Sequence, residues 1–191
     1  MTELMISIQP KWVEKIVSGE KTVEVRKTRP NCEVPFKCYI YCTQGKLKDL
    51  GVIGNKIYQK RMKVIGEFLC DKIVKFPHDL YDPAFSETAD LSCVGIDGLS
   101  EYLGHKDYGY GWHITDLVVY DEPRELSEFK TPDWYADCEK CNYLEKMRCP
   151  VKDSHKADIM ATACRRVGKP ITRPPMSWQF CVVTEPRQTA D

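Results

Sequence analysis

The hexapeptide Lys21-Thr22-Val23-Glu24-Val25-Arg26 carries the densest chemistry in the chain. In extended backbone, alternate side chains point to opposite faces, so Thr22, Glu24 and Arg26 line one face and Val23 and Val25 the other. Lys21 stands at the entrance of this strand. A guanidinium donates two parallel hydrogen bonds to phosphate or carboxylate, and an ammonium is a mobile point charge for anions. Glu24 is placed to orient either cation, or to accept a proton from a base or sugar. The same spacing also suits an exposed strand face laced with ion pairs worth about 0–1 kcal/mol each. Tyr108, Tyr110 and Trp112 alternate as well, sharing one face with His113 on the other. Unstacked bases gain roughly 1–3 kcal/mol on such rings. Trp178, after Pro174-Pro175, offers a further plane, although Trp112 and Trp178 each read more readily as core residues; Lys56, Lys60, Arg61 and Lys63 suit either a phosphate backbone or a solvated loop.

A second constellation is made of cysteines, of which the chain has ten. Cys32, Cys38, Cys42, Cys70, Cys93 and Cys181 are scattered through apolar, strand-like text and read mostly as core thiols. Cys138, Cys141, Cys149 and Cys164 fall in one polar stretch. Cys138-Glu139-Lys140-Cys141 is a hook whose two thiolates reach one ion, and four thiolates close a tetrahedral structural zinc site. His155 is an alternative to Cys164 as fourth ligand. An iron–sulfur cluster and plain reduced cysteines are the competing readings. No βαβ context surrounds the hook, which argues against thioredoxin-like redox chemistry. The sequence also lacks a Ser-His-Asp arrangement, a phosphate-cradling glycine loop and a His-Glu-x-x-His helix.

The elements that must position these residues are short. Pro10, the apolar set Trp12, Val13, Ile16 and Val17, and Gly19 predict a helix over 10–18. Strands are predicted at 22–26, 36–43, near 64–76, at 110–120 and at 177–184. Helical pieces are expected within 86–104, ending at Gly104, and Gly66 marks a bulge or a close backbone approach. Residues 44–63 read as a loop or ribbon. The segment 131–171 interrupts the β text, which resumes after it. The expected class is therefore α+β: a compact β-barrel, residues 1–130 and 172–191, with short flanking helices and a cysteine-rich insertion at 131–171.

Composition sets the outer bounds. The chain has 191 residues, 28 Lys+Arg against 28 Asp+Glu, 42% hydrophobic and 29% charged residues, which is ordinary for a globular protein. Zero net charge argues against wrapping long double-stranded DNA by bulk electrostatics, though it leaves room for a local basic groove. No apolar run approaches the ~20 residues that cross a bilayer, and the N-terminus shows no signal-peptide pattern. The expectation is a cytoplasmic protein with no membrane partner.

The run Ser7-Ile8-Gln9-Pro10-Lys11-Trp12, followed by Gly19-Glu20-Lys21-Thr22-Val23-Glu24-Val25-Arg26, resembles the opening of an ASCH domain, a branch of the PUA-like superfamily. Gly19, Lys21 and Arg26 match that family's Gly-x-Lys-x-x-x-x-Arg pattern, with Glu24 a frequent companion. Ile65-Gly66-Glu67-Phe68 resembles its central strand. Gly109-Tyr110-Gly111-Trp112-His113-Ile114 and Arg173-Pro174-Pro175-Met176-Ser177-Trp178 resemble later elements of small prokaryotic and phage-associated members. The resemblance spans about residues 4–129 and 172–184. It implies a PUA-like barrel with a cleft that binds RNA or a nucleotide-like ligand through Lys21, Thr22, Glu24, Arg26, Tyr108, Tyr110 and Trp112. Some small bacterial members are amidohydrolases acting on modified cytidines through a Lys, a Thr and a Glu. Lys21 matches that Lys, but Glu24 holds the position of the Thr, and only Glu101 loosely stands for the Glu. A carboxylate does not replace a hydroxyl nucleophile without changing the chemistry. The readings left open are thus an RNA or nucleotide binder, a hydrolase of a modified nucleoside amide or of RNA with Lys21 and Glu24 as candidates, and an adaptor docking through a zinc-stabilised insertion.

Overall fold

The computed structural model describes residues 1–45, 61–132 and 170–183. The chain divides into two compact units, Met1–Arg124 with Pro175–Gln179, and Glu125–Pro174 with Phe180–Asp191.

The first unit opens with a strand absent from the sequence-based expectation, β1 (Glu3–Ile8). Its residues alternate poorly because it runs between two neighbours and is buried at four of its six positions. Helix α1 (Pro10–Val17) follows, with Pro10 in its first turn and Val13 and Ile16 buried. Gly19 ends the turn at φ 79°; a Cβ there meets nothing within 4 Å, so the positive φ and not crowding favours glycine. Next come β2 (Val23–Arg26), β3 (Phe36–Cys42), β4 (Lys63–Cys70) and β5 (Ile73–Pro77). The single strand expected over 64–76 is thus two strands. Helices α2 (Pro83–Leu91) and α3 (Ile96–Leu103) match the helical segment, with Asp82 capping the first through Ala84 N–H at 2.8 Å. Strands β6 (Tyr108–His113) and β7 (Thr115–Arg124) replace the single strand expected at 110–120.

With β9 (Trp178–Phe180) added at the edge of the larger one, these strands form two sheets. One has the order β7-β4-β3-β1-β9, with β1 parallel to β3 and β3-β4-β7 antiparallel. The other is the antiparallel set β2-β6-β5. The class is mixed α+β, as expected. The expected barrel is not closed by hydrogen bonds among the described residues, because the edge strands β2 and β5 pair with no strand of the five-stranded sheet. Gly66 meets its prediction: the β4–β7 register shifts beside it, and a Cβ there would lie 2.4 Å from the Val118 carbonyl oxygen.

The core of this unit has two layers on either side of the β2-β6-β5 sheet. On one side, Val25 and Phe76 pack with Phe85, Ala89, Leu99 and Leu103 of the two helices. Gly109 makes that approach possible, since a Cβ there would sit 2.5 Å from Phe76 and 2.9 Å from Leu103. On the other side, Trp112 meets Phe36 of β3 edge to face at 5.4 Å.

In the second unit, a 3₁₀ turn (Leu126–Glu128) closed by a reciprocal Glu125–Glu128 cap leads into β8 (Phe129–Lys130). That strand pairs with β10 (Val182–Val183), and Ile171 N–H donates to Phe129 O. Among the described residues no helix is long and apolar enough to cross a membrane.

Four of the six scattered cysteines, Cys38, Cys42, Cys70 and Cys181, are fully buried, and Cys32 and Cys93 are half-buried. Burial pushes the thiols of Cys42 and Cys70 up to about 12. Folding therefore favours the neutral thiol. The resulting stabilisation is complete below the ordinary thiol value of 9.0 and is lost as pH rises towards 12. The expected outcome is no modification of Cys42 or Cys70 by an aromatic disulfide reagent at pH 8 until urea unfolds the chain, with an unfolding midpoint that declines above about pH 9. Peptide mapping of the labelled thiols, together with urea melts across that range, checks both.

Candidate functional site

Register decides what shares a face. Glu24 pairs with Trp112 and Arg26 with Tyr110, while Ile73, Lys75 and Pro77 pair with Trp112, Tyr110 and Tyr108. Directly opposed residues project to the same side, so Glu24, Arg26, Tyr108, Tyr110, Trp112 and Lys75 occupy one face of the β2-β6-β5 sheet. The helices cover the other.

Lys21, Glu24 and Arg26 meet as one ion cluster. Lys21 Nζ lies 3.2 Å from Glu24 Oε2, and Arg26 Nη2 lies 3.1 Å from Glu24 Oε1. All three are buried, with exposures of 2%, 6% and 9%. Lys21 Nζ also donates to Val23 O at 2.9 Å and to Ser92 O at 2.8 Å. Its three protons are thereby used. Ser92 caps the C-terminus of α2, where unpaired carbonyls and the negative end of the helix dipole favour a cation. Thr22 N–H completes this attachment by donating to Leu91 O. The ammonium expected to meet ligand phosphate thus ties the helix to the strand, and each of its three protons has a partner within the fold.

Arg26 is different. Its Nη2 donates to Ser7 O at 2.8 Å as well as to Glu24, but its Nε–H is buried and has no acceptor among the described residues. Trp112 Nε1–H is in the same condition. The Trp112 ring is fully buried against Phe36, so it is a core residue and not an open stacking surface. Trp178 leans on Trp112 at 6.1 Å and donates to Thr28 Oγ1 at 3.2 Å. Its segment is anchored to β1 by Ser7 Oγ–H donating to Pro175 O and Ser7 N–H donating to Ser177 O.

Towards solvent, Tyr108 and Tyr110 meet edge to face at 5.7 Å, and Lys75 Nζ lies 3.8 Å over the Tyr108 ring. Partial burial, then the neighbouring Tyr108, raises the Tyr110 hydroxyl, while Arg29 pulls in the opposite sense. Thr22 precedes β2, and its side chain is exposed. Glu101 lies on α3, a helix packed against the opposite face. His113 faces Asp71 at 3.9 Å. Arg61 donates to Gln44 O; Lys56 and Lys60 lie outside the described residues. So do the expected zinc ligands Cys138, Cys141, Cys149 and Cys164, and His155. Sequence reasoning missed Lys75, Arg29 and the Ser7 and Ser92 carbonyls. Only Lys75 carried a usable signal, once β5 is recognised as the antiparallel neighbour of β6.

A two-sheet α+β unit with short helices on one sheet, and a buried cation–carboxylate–cation cluster behind an aromatic rim, defines the class. Residues 6–65 match the model of the ASCH domain family. Among solved structures, an ASCH protein from Zymomonas mobilis is 18% identical with a TM-score of 0.55, over 94% of this chain and 87% of that one. A tyrosine-to-phenylalanine variant from the same organism is 17% identical with a TM-score of 0.56, over 94% and 90%. No curated protein matches. Residues 6–65 thus carry the ASCH-domain pattern, and the fold is similar to that of the solved ASCH structures.

The cluster's geometry sets the cost of breaking it. Removing one member of a buried, hydrogen-bonded ion set leaves an uncompensated charge, typically worth about 3–5 kcal/mol. Lys21→Ala is expected to lower unfolding free energy by about that much in urea melts. A loss below about 1 kcal/mol would show that the ammonium is not holding α2.

Proposed function

We propose that this chain binds RNA or a nucleotide-like ligand on the Arg26 face of the β2-β6-β5 sheet. The observation that carries the reading is the pair of buried N–H groups, Arg26 Nε and Trp112 Nε1, which have no acceptor among the described residues and share one face. Buried donors are almost always paired, and one left unmade costs about 1–3 kcal/mol. Two on neighbouring strands suit a ligand that supplies oxygen or nitrogen acceptors. Phosphate and base carbonyl oxygens are both of this kind. The ion cluster carries two cations against one carboxylate, which favours an anionic group. Tyr108 and Tyr110 supply ring faces, and exposed Lys75 and Arg29 supply charge. The family's general link to RNA binding points the same way.

Arg26→Lys keeps a cation for Glu24 but removes Nε, and Trp112→Phe removes the indole donor while keeping a ring. Each is expected to weaken binding of short RNAs about tenfold in fluorescence titrations. The thermal midpoint is expected to move little for Trp112→Phe, because lost packing is opposed by removal of an unpaired buried donor. Unchanged affinity in both variants would overturn the reading.

We further propose that the two facing sheets are the ASCH form of a PUA-like barrel, and that Cys138, Cys141, Cys149 and Cys164 hold zinc in an insertion at 131–171. The cysteine spacing alone supports the metal. Purified protein is expected to contain about one zinc per chain by atomic emission, and Cys141→Ser to lose it. Metal-free wild-type protein with its fold intact would end this proposal.

A further inference from the structure

Beyond the Arg26 face, three exposed or half-exposed tyrosines each have a cation near them. Lys75 Nζ lies 3.8 Å over Tyr108, and Lys27 Nζ lies 5.1 Å over Tyr102. Arg29 acts on Tyr110 electrostatically. Tyr102 and Tyr108 are 37% and 40% exposed, which is high for rings with ready core alternatives.

The fold brings these pairs to one end of the β2-β6-β5 sheet. Arg26 at the end of β2 pairs with Tyr110, and Pro77 at the end of β5 pairs with Tyr108. Lys27 is the next residue after Arg26, and alternation turns it to the helical side, where it reaches Tyr102 on α3. Leu103, beside Tyr102, abuts Gly109, which lies between Tyr108 and Tyr110. The rings therefore continue from the Arg26 face around the sheet end and onto the helix layer.

We infer that this is a path for single-stranded RNA several nucleotides long, running from Tyr110 over Tyr108 to Tyr102. The inference rests on the nucleotide-binding reading and extends it from one subsite to a strand. Bases stack on aromatic faces regardless of identity, and a nearby cation holds the intervening phosphate. Duplex RNA keeps its bases stacked on each other and does not present them to rings. Glu101 and Asp107 flank Tyr102 and Tyr108 in the sequence, so the path carries little net charge. Binding then depends on stacking more than on counterion release. The salt slope is expected to be shallow, corresponding to about two or three phosphate contacts.

The test compares uridine monophosphate, a single-stranded octauridylate and an eight-base-pair RNA duplex, each titrated into the full chain. Tyr102→Leu removes the ring with little change in apolar area, and Tyr102→Phe keeps it. The inference expects octauridylate to bind more tightly than the monophosphate and the duplex. It also expects Tyr102→Leu and Lys27→Ala to weaken octauridylate about five- to tenfold without affecting the monophosphate, and Tyr102→Phe to bind as wild type. Octauridylate affinity unchanged by Tyr102→Leu, with monophosphate binding retained, overturns the strand path and leaves the Arg26 subsite standing. Absence of binding by all three probes overturns both.

Discussion

The buried contact between Lys21, Glu24 and Arg26 is the constraint on which the site unit depends. Three charges are withdrawn from water, and the desolvation cost is offset only because each finds several partners. The Glu24 oxygens take one cation each. Lys21 adds two carbonyls, one at the C-terminus of α2, and Arg26 adds the carbonyl of Ser7 in β1. A single strand, β2, is thereby fixed to a helix on one side and to the other sheet on the opposite side.

This arrangement divides work between two cations that look equivalent in the sequence. Lys21 is saturated by its own backbone surroundings, and its role is architectural. Arg26 has more donors than the fold employs, because a guanidinium presents five N–H groups in a fixed plane. One of them, buried and without an acceptor among the described residues, lies on the same face as the indole N–H of Trp112, which is in the same condition. Unmet donors of this kind lower stability, and they persist most readily where a ligand completes them. The alternation of Tyr108, Tyr110 and Trp112 with Gly109 and Gly111 belongs to the same design. Large rings go to the Arg26 face, while the absence of side chains on the other face lets α2 and α3 approach closely.

Much of the fold was legible in local pattern. Pro10 and Gly19 delimit α1, the β-formers of 36–42 form β3, and Gly66 lies where two backbones nearly touch. Elements were missed where burial removes periodicity or where a turn is tight. β1 is buried on both sides and does not alternate. The β4–β5 and β6–β7 turns are so short that each pair of strands read as one. Of the site, the shared face of Glu24, Arg26, Tyr108 and Tyr110 follows from alternation plus the pairing of β2 with β6, and only the first was available from sequence.

The sequence by itself determined which residues could converge: a lysine, a carboxylate and an arginine at strand spacing after a helix stop, and aromatic residues at alternate positions. Local sterics and side-chain chemistry settle those features. Tertiary structure alone decided which cation is used up and which has a donor to spare, because that depends on the carbonyls of Ser7 and Ser92, far away in the chain. It also decided that Trp112 is walled in by Phe36 while Tyr108 stays in the open. Residue type and spacing carry no record of which distant backbone atoms will surround a side chain, and those atoms set its desolvation and its remaining hydrogen-bonding capacity.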